Sequence, residues 1–323
     1  SKLYRSECTP PPSDGGVYLH VPPESMSTSL AESTVSSRTQ LPPAMHLYAL
    51  QQHSFSDEAA QLLATQCEEM AVSYCDNING VWDAVSSGEY GLIPIENSSG
   101  GLVWPHLDRL RKEMVRIIGE ANLGIRMVAG GLSDASLQRV QRVCSHQKGL
   151  DQCSTFITEQ LPDAVEHVPL ASTAAAAEYV RDAADVRNIV LASRSAIQAA
   201  GLRELATNVA DLPAEQNITQ FLVVHQNQQN DLPYPEGGRH AAIISPHNEP
   251  GVLNCILSVV ANARADLTSL HSRSVGPKQY DFYVEMRRLG SPRQFELMAA
   301  QLENLDAVAN VKWLGSWDQS VDS

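Results

Sequence analysis

Residues 90–101 read YGLIPIENSSGG. An apolar run from Gly91 to Ile95 passes directly into Glu96, Asn97, Ser98 and Ser99, and then into Gly100 and Gly101. WPHLDRLRKE follows at 104–113 with helical spacing. Its proline falls in the first turn, where a missing N–H costs nothing. A buried strand, a polar turn and a helix in that order make a βα unit. The turn has two readings. It is an ordinary helix start, with Asn97 or Ser98 bonding the first free N–H groups, or it is the rim of a site.

The same alternation continues on both sides. FSDEAAQLLATQ (55–66) reads as a helix with Ser56 at its N-cap. MAVSYC (70–75) reads as a strand and VWDAVSSG (81–88) as a helix. VRIIGEANLGIRMVAGGL (115–132) is β-rich. Then the strands VQRVCSH, AVEHVPL, RNIVLAS and ITQFLVVHQ alternate with the helices KGLDQCSTFITEQL, TAAAAEYVRDA and RSAIQAAG. This pattern predicts α/β layers with helices on the sheet faces. QNQQNDLPYPEGGR (226–239) carries turn residues and reads as a linker. Beyond it, 240–318 follows the order βαββαβ, a ferredoxin-like arrangement. Residues 1–45 are rich in Pro, Ser and Thr without helix or strand period, and are expected to form a disordered or irregular extension.

Bulk properties narrow the function. The 323 residues suffice for about two domains. A net charge of −14 argues against nucleic acid or an anionic membrane as partner. No apolar run approaches the roughly 20 residues of a membrane-spanning helix. Cys8, Cys67, Cys75, Cys144, Cys153 and Cys255 form no C-x-x-C pair, and no histidines stand at metal-ligand spacing around them. The thiols therefore read as reduced and the setting as cytoplasmic.

Ligands of open α/β sheets bind beyond the carboxyl ends of strands. Three polar clusters stand there: Glu96 to Gly101; Ser145-His146-Gln147 with Gln152; and Asn217 to Phe221 around Thr219 and Gln220. Each also has an ordinary reading, as helix caps, a solvent face or a β-branched strand residue. The sequence holds no Ser-His-Asp order, P-loop or Rossmann fingerprint.

IPIENSSGG is similar to the PIENS-x-x-G segment of prephenate dehydratases. CSHQKGLDQC (144–153) resembles their SHPQ-x-x-x-QC, STAAAAEYV (172–180) their STA-x-AA, AAGL (199–202) their AA-x-x-YGL, and NITQF (217–221) their N-x-TRF. The resemblance covers 46–225. Residues 240–318 resemble the ACT domain that these enzymes carry, from HNEPGVL through LHSRS to YDFYVEM.

The resemblance implies a two-lobed catalytic domain of periplasmic-binding-protein type, with lobes 46–123 plus 207–225 and 124–206. It implies a lyase that removes carbon dioxide and water from prephenate to give phenylpyruvate, without cofactor or metal. Thr219 would bond the departing hydroxyl, with Asn97, Ser145 and Gln152 as further catalytic donors. Glu96, Ser98, Ser56, Ser172 and Gln220 would shape or bind at the substrate site. Gly251, Val252, Leu253, Ser272 and Arg273 would receive phenylalanine as effector, and the ACT-like module implies a homodimer or homotetramer.

Four segments depart from the family pattern. Gln147 stands for the proline of SHPQ. Gln220 replaces the arginine of TRF. LQQHSFS (50–56) stands for GPxGTxS, and His271 and Ser274 flank Ser272-Arg273 where the family has ESRP. Lys148 or Arg194 is expected to replace the lost charge. These departures keep two other readings open: a prephenate decarboxylase that retains the hydroxyl, and a non-catalytic amino-acid sensor.

Overall fold

The computed structural model describes residues 41–42, 44–67, 69–226, 238–318 and 320–322. Most of the expected extension and linker lies outside the described residues. The first elements are β1 (Ala44–Leu50), α1 (Phe55–Ala64), β2 (Glu69–Cys75), α2 (Ile78–Ser86), β3 (Tyr90–Asn97), β4 (Gly101–Leu102), α3 (Trp104–Lys112) and β5 (Val115–Gly124). Next come β6 (Val128–Gly131), β7 (Arg142–His146), α4 (Gln147–Asp151), α5 (Ser154–Gln160), β8 (Glu166–Leu170), α6 (Thr173–Ala183), β9 (Asn188–Ala192), α7 (Arg194–Ala199) and β10 (Arg203–Thr207). The chain returns through β11 (Ile218–Gln226). It then runs through β12 (Arg239–Pro246), α8 (Val252–Asn262), β13 (Ala265–Gly276), β14 (Gln279–Arg288), α9 (Pro292–Glu303), β15 (Val308–Trp317) and β16 (Ser320–Asp322).

Two sheets result. The smaller has five strands in the order β10-β6-β9-β7-β8. The larger runs β13-β14-β12-β15-β5-β11-β3-β1-β2. Its first four strands are the βαββαβ module and its last five belong to the first lobe. The chain passes between the sheets twice, after β5 and after β10, so two segments join the lobes. The two halves of the large sheet meet at Gly315, which pairs in parallel with Ile117. Gly315 has φ 155°, and a Cβ there would collide with the Ile117 carbonyl, so glycine is required.

β11 runs antiparallel to both β3 and β5. Its alternation sends Leu222 and Val224 to one core with Trp82, Ile93 and Ile95, and Phe221 and Val223 to the other with Leu47, Leu63 and Leu92. The residue beside Phe221 on the cleft side is therefore Thr219, and Gln220 points away.

Two expected helices differ. Ser54, not Ser56, caps α1 by accepting from the Asp57 N–H. The run 148–161 breaks at Gln152-Cys153 into α4 and α5. Asp211 explains the break: its carboxylate accepts from the Ser154 and Thr155 N–H groups, which stabilises a new helix start. Among the described residues no helix is long and apolar enough to cross a membrane.

Candidate active site

A cavity of about 410 Å³ opens between the lobes. One wall carries Gln51, Ser54, Ser56, Asp76, Pro94, Glu96, Asn97, His106, Thr219 and Phe221; the facing wall carries His146, Lys148, Gly149, Gln152 and Ser172. The first turns of α1, α2, α3 and α6 border it. Helix N-termini present unpaired N–H groups and positive dipole ends, which favour an anion. Lys148 is the one Lys or Arg that lines the cavity among the described residues. Arg194, the other expected replacement charge, pairs with Glu204 outside it.

At the centre lies a polar network. The Asn97 Oδ1 accepts from the N–H groups of Ser99 at 3.0 Å and Gly100 at 2.9 Å, from Ser99 Oγ at 2.6 Å and from Gln152 Nε2 at 3.0 Å. Backbone N–H groups can only donate, so the orientation of this amide is fixed. Its Nδ2 must then point the other way. It donates to Thr219 Oγ1 at 2.9 Å and to Asn217 Oδ1 at 3.0 Å. Thr219 thus receives a hydrogen bond on its oxygen, and its own proton is free to be donated into the cavity. Gln152 comes from the second lobe and Asn97 from the first, so their bond also joins the lobes. Ser172 adds another such contact to Gln51, and Ser195 bonds Glu58 at 2.6 Å.

Asn97, Gln152, Thr219, Glu96, Ser56 and Ser172 all border the cavity. Ser56 is buried, and its Oγ has no hydrogen-bond partner among the described residues. A buried hydroxyl without a partner is costly, and one facing a cavity is available to a ligand.

Three other expected cleft residues lie elsewhere. Ser145 is fully buried beneath Gly149 and donates to the Leu191 carbonyl at 2.6 Å. The adjacent His146 borders the cavity instead, because strand residues alternate faces. Ser98 Oγ donates to the Gln216 carbonyl at 2.6 Å and accepts from the Ile218 N–H at 2.7 Å, which ties β3 to the entry of β11. Gln220 lies on the far face of β11, where its Nε2 sits 3.1 Å from both Glu120 and Glu285. The exchange of arginine for Gln220 therefore alters a buried carboxylate pair rather than the cleft.

Burial raises the pKa of both carboxylates, with Arg239 opposing it at each. Tyr283 bonds Glu285 at 2.6 Å, and burial pushes its phenol well above its ordinary value. In the module, Gly251 opens α8 at φ 87°. Val252 and Leu253 follow it in the first turn of α8 and are half-buried, and Ser272 is exposed. Arg273 forks onto Asp108 at 2.7 and 3.1 Å and lies 4.8 Å over Trp104. Its guanidinium is thus engaged by α3. Among the described residues no group of three or more His, Cys, Asp or Glu side chains could hold a metal ion.

His106 was not singled out in the sequence. Its signal was a histidine in the first turn of the helix that follows the cleft strand.

The family model for prephenate dehydratase matches residues 51–229. The chain belongs to the prephenate dehydratase family. A bifunctional chorismate mutase/prephenate dehydratase of Aquifex aeolicus is 29% identical over 76% of this chain and 66% of its own length. A prephenate dehydratase of Lactococcus lactis is 28% identical over 73% of this chain and 85% of its own. The chain spans 65% of a second bifunctional relative, from Stutzerimonas stutzeri, and 54% of an arogenate dehydratase of Petunia hybrida. Among solved structures, the prephenate dehydratase of Arthrobacter aurescens in complex with L-Phe superposes with a TM-score of 0.71 at 24% identity. It covers 85% of this chain and 90% of that one. The Staphylococcus aureus prephenate dehydratase gives 0.67 over 84% and 99%. These likenesses establish a shared family fold of two α/β lobes.

Proposed function

We propose that the protein is a prephenate dehydratase, a lyase that converts prephenate to phenylpyruvate, carbon dioxide and water. The observation that carries this reading is the fixed Asn97 amide, which leaves the Thr219 proton free to be donated into a cavity lined by helix N-termini and Lys148. A dianion needs such a setting, and neutral donors stabilise it without the cost of further buried charge. The catalytic role goes to Thr219, and Asn97 and Gln152 position it. Substrate contacts go to Lys148, Ser56 and Ser172.

Purified protein incubated with prephenate should release phenylpyruvate, read by its absorbance in alkali. Prephenate consumed without an aromatic product would instead identify a decarboxylase, and no turnover would identify a sensor.

We further propose that 46–225 forms the catalytic domain and 240–318 an ACT-like regulatory domain. In this reading phenylalanine is an effector received near Gly251 and Arg273, and the assembly is a cytoplasmic homodimer or homotetramer. The Arthrobacter relative in complex with L-Phe supports the effector. Millimolar phenylalanine should raise the melting temperature if it binds the native state, and sedimentation should give two or four chains.

A further inference from the structure

Prephenate is a dianion and phenylpyruvate a monoanion, so each turnover consumes one proton. Thr219 is not its source. A threonine hydroxyl is a very weak acid, and here it serves as an oriented donor. A titratable group that faces the cleft can deliver the proton in the transition state, and an imidazole does so best near neutral pH.

Two histidines border the cavity, and their anchors differ. His146 caps α4, with Nδ1 accepting from the Lys148 N–H at 3.3 Å. Protonating Nδ1 would break that cap and place a cation at a helix start beside Lys148. This anchor disfavours protonation, and burial lowers the pKa of the ring in the same direction. His106 is anchored the opposite way. Its Nδ1 lies 2.6 Å from the Pro94 carbonyl oxygen, which can only accept, so Nδ1 carries the proton. Nε2 holds the lone pair and has no partner among the described residues. It can gain and lose a proton without disturbing the anchor. Pro94 pairs with Phe221, two residues along β11 from Thr219, or roughly 7 Å of strand. His106 and Thr219 both line the same cavity.

We propose that His106 is the general acid of the dehydration, delivering a proton from Nε2 to the departing hydroxyl that Thr219 holds. The assignment rests on the dehydratase reading. The C–O bond breaks as the hydroxyl takes the proton and leaves as water. The bond to the ring carboxylate breaks, its electron pair completes the aromatic ring, and carbon dioxide departs. Water then reprotonates Nε2.

The charged surroundings fit this cycle. Burial lowers the His106 pKa despite the opposing Pro94 bond, and Lys148 and Arg109 act in the same direction as burial. Asp76, Glu96 and His146 face the same cavity. An arriving dianion offsets Lys148 and favours the imidazolium, so substrate binding charges the acid.

The test is a pH–rate profile of wild type and His106→Gln on prephenate. Wild-type kcat should fall on the alkaline side as the imidazolium of the substrate complex is lost. His106→Gln should lower kcat by roughly 100-fold or more with little change in KM, lose that alkaline limb, and recover in part with added imidazole. His106→Asn and a thermal melt separate this from misfolding. A His106→Gln enzyme that keeps its kcat and alkaline limb, or one that loses only in KM, overturns the proposal. So does a wild-type profile that is flat from about pH 5 to 9, a result independent of any variant. A wild type inert toward prephenate removes the dehydratase reading and the proposal with it; an active wild type with an unaffected variant removes the proposal alone.

Discussion

The Asn97 amide nitrogen lies 2.9 Å from the Thr219 hydroxyl oxygen, and two backbone N–H groups on the opposite side of the amide prevent it from turning round. Asn97→Asp replaces the donor with an acceptor and lets the Thr219 proton turn toward the carboxylate. On the dehydratase reading, kcat should fall about 10²–10³-fold, the usual cost of losing an oriented transition-state donor. Thr219→Ala should do at least as much, while Thr219→Ser should retain measurable turnover. Steady-state kinetics on prephenate check all three.

Gln152 bonds Asn97 across the cleft, from the C-terminal end of α4 to the end of β3. Gln152→Ala removes both a donor to Asn97 and a tie between lobes. Turnover should drop, and the cleft should open more readily. Hydrogen exchange should quicken in the segments joining the lobes, around 124–128 and 207–218, while the strands of both sheets stay protected. Unchanged exchange there would show that this bond does not hold the lobes together.

Lys148 supplies the cleft with a full positive charge among the described residues. A charge-assisted hydrogen bond contributes about 1.5–3 kcal/mol, so Lys148→Met should raise KM for prephenate by roughly 10–100-fold. The loss should show mainly in KM, because the carboxylates are gripped in ground and transition states alike. Wild-type KM should also rise with salt, and the variant's salt dependence should be weaker.

Glu120 and Glu285 share the Gln220 amide beneath the cleft sheet, and burial raises the pKa of each in the folded state. A carboxyl with a raised folded pKa binds its proton more tightly when folded. Its contribution is fully present below the unfolded value, near 4.5, and is lost as pH rises through the folded value. Stability should therefore decline from mildly acidic toward neutral pH. Gln220→Arg places a cation between the two carboxylates. It should flatten that decline and stabilise the protein at neutral pH by roughly 1.5–3 kcal/mol. Thermal melts between about pH 5 and 8 read both effects. A variant less stable at every pH would show that the seam has no room for the guanidinium.

Much of the cleft was legible because it is written in local patterns. The strand YGLIPIEN, the turn after it and the strand around Thr219 pointed to Asn97 and Thr219, which line the cavity. Ser145, Ser98 and Gln220 were misplaced for one shared reason. Motif membership does not say what a side chain faces: Ser145 and Gln220 take the far faces of their strands, and the turn residue Ser98 bonds the backbone at the entry of β11. His106 carried no motif, so only the fold placed it against Pro94.

The sequence by itself determined the alternation of strands and helices, the βαββαβ order of the last module and the family, because each depends on neighbours in the chain. Only the tertiary structure decided what those residues face. The fixed Asn97 amide joins groups 120 and 122 residues apart at Asn217 and Thr219. The carboxylate pair under Gln220 exists because β14 of the module joins the same sheet as β5. Hydrogen bonds and burial depend on which strands lie side by side, and the packing of the whole chain sets that.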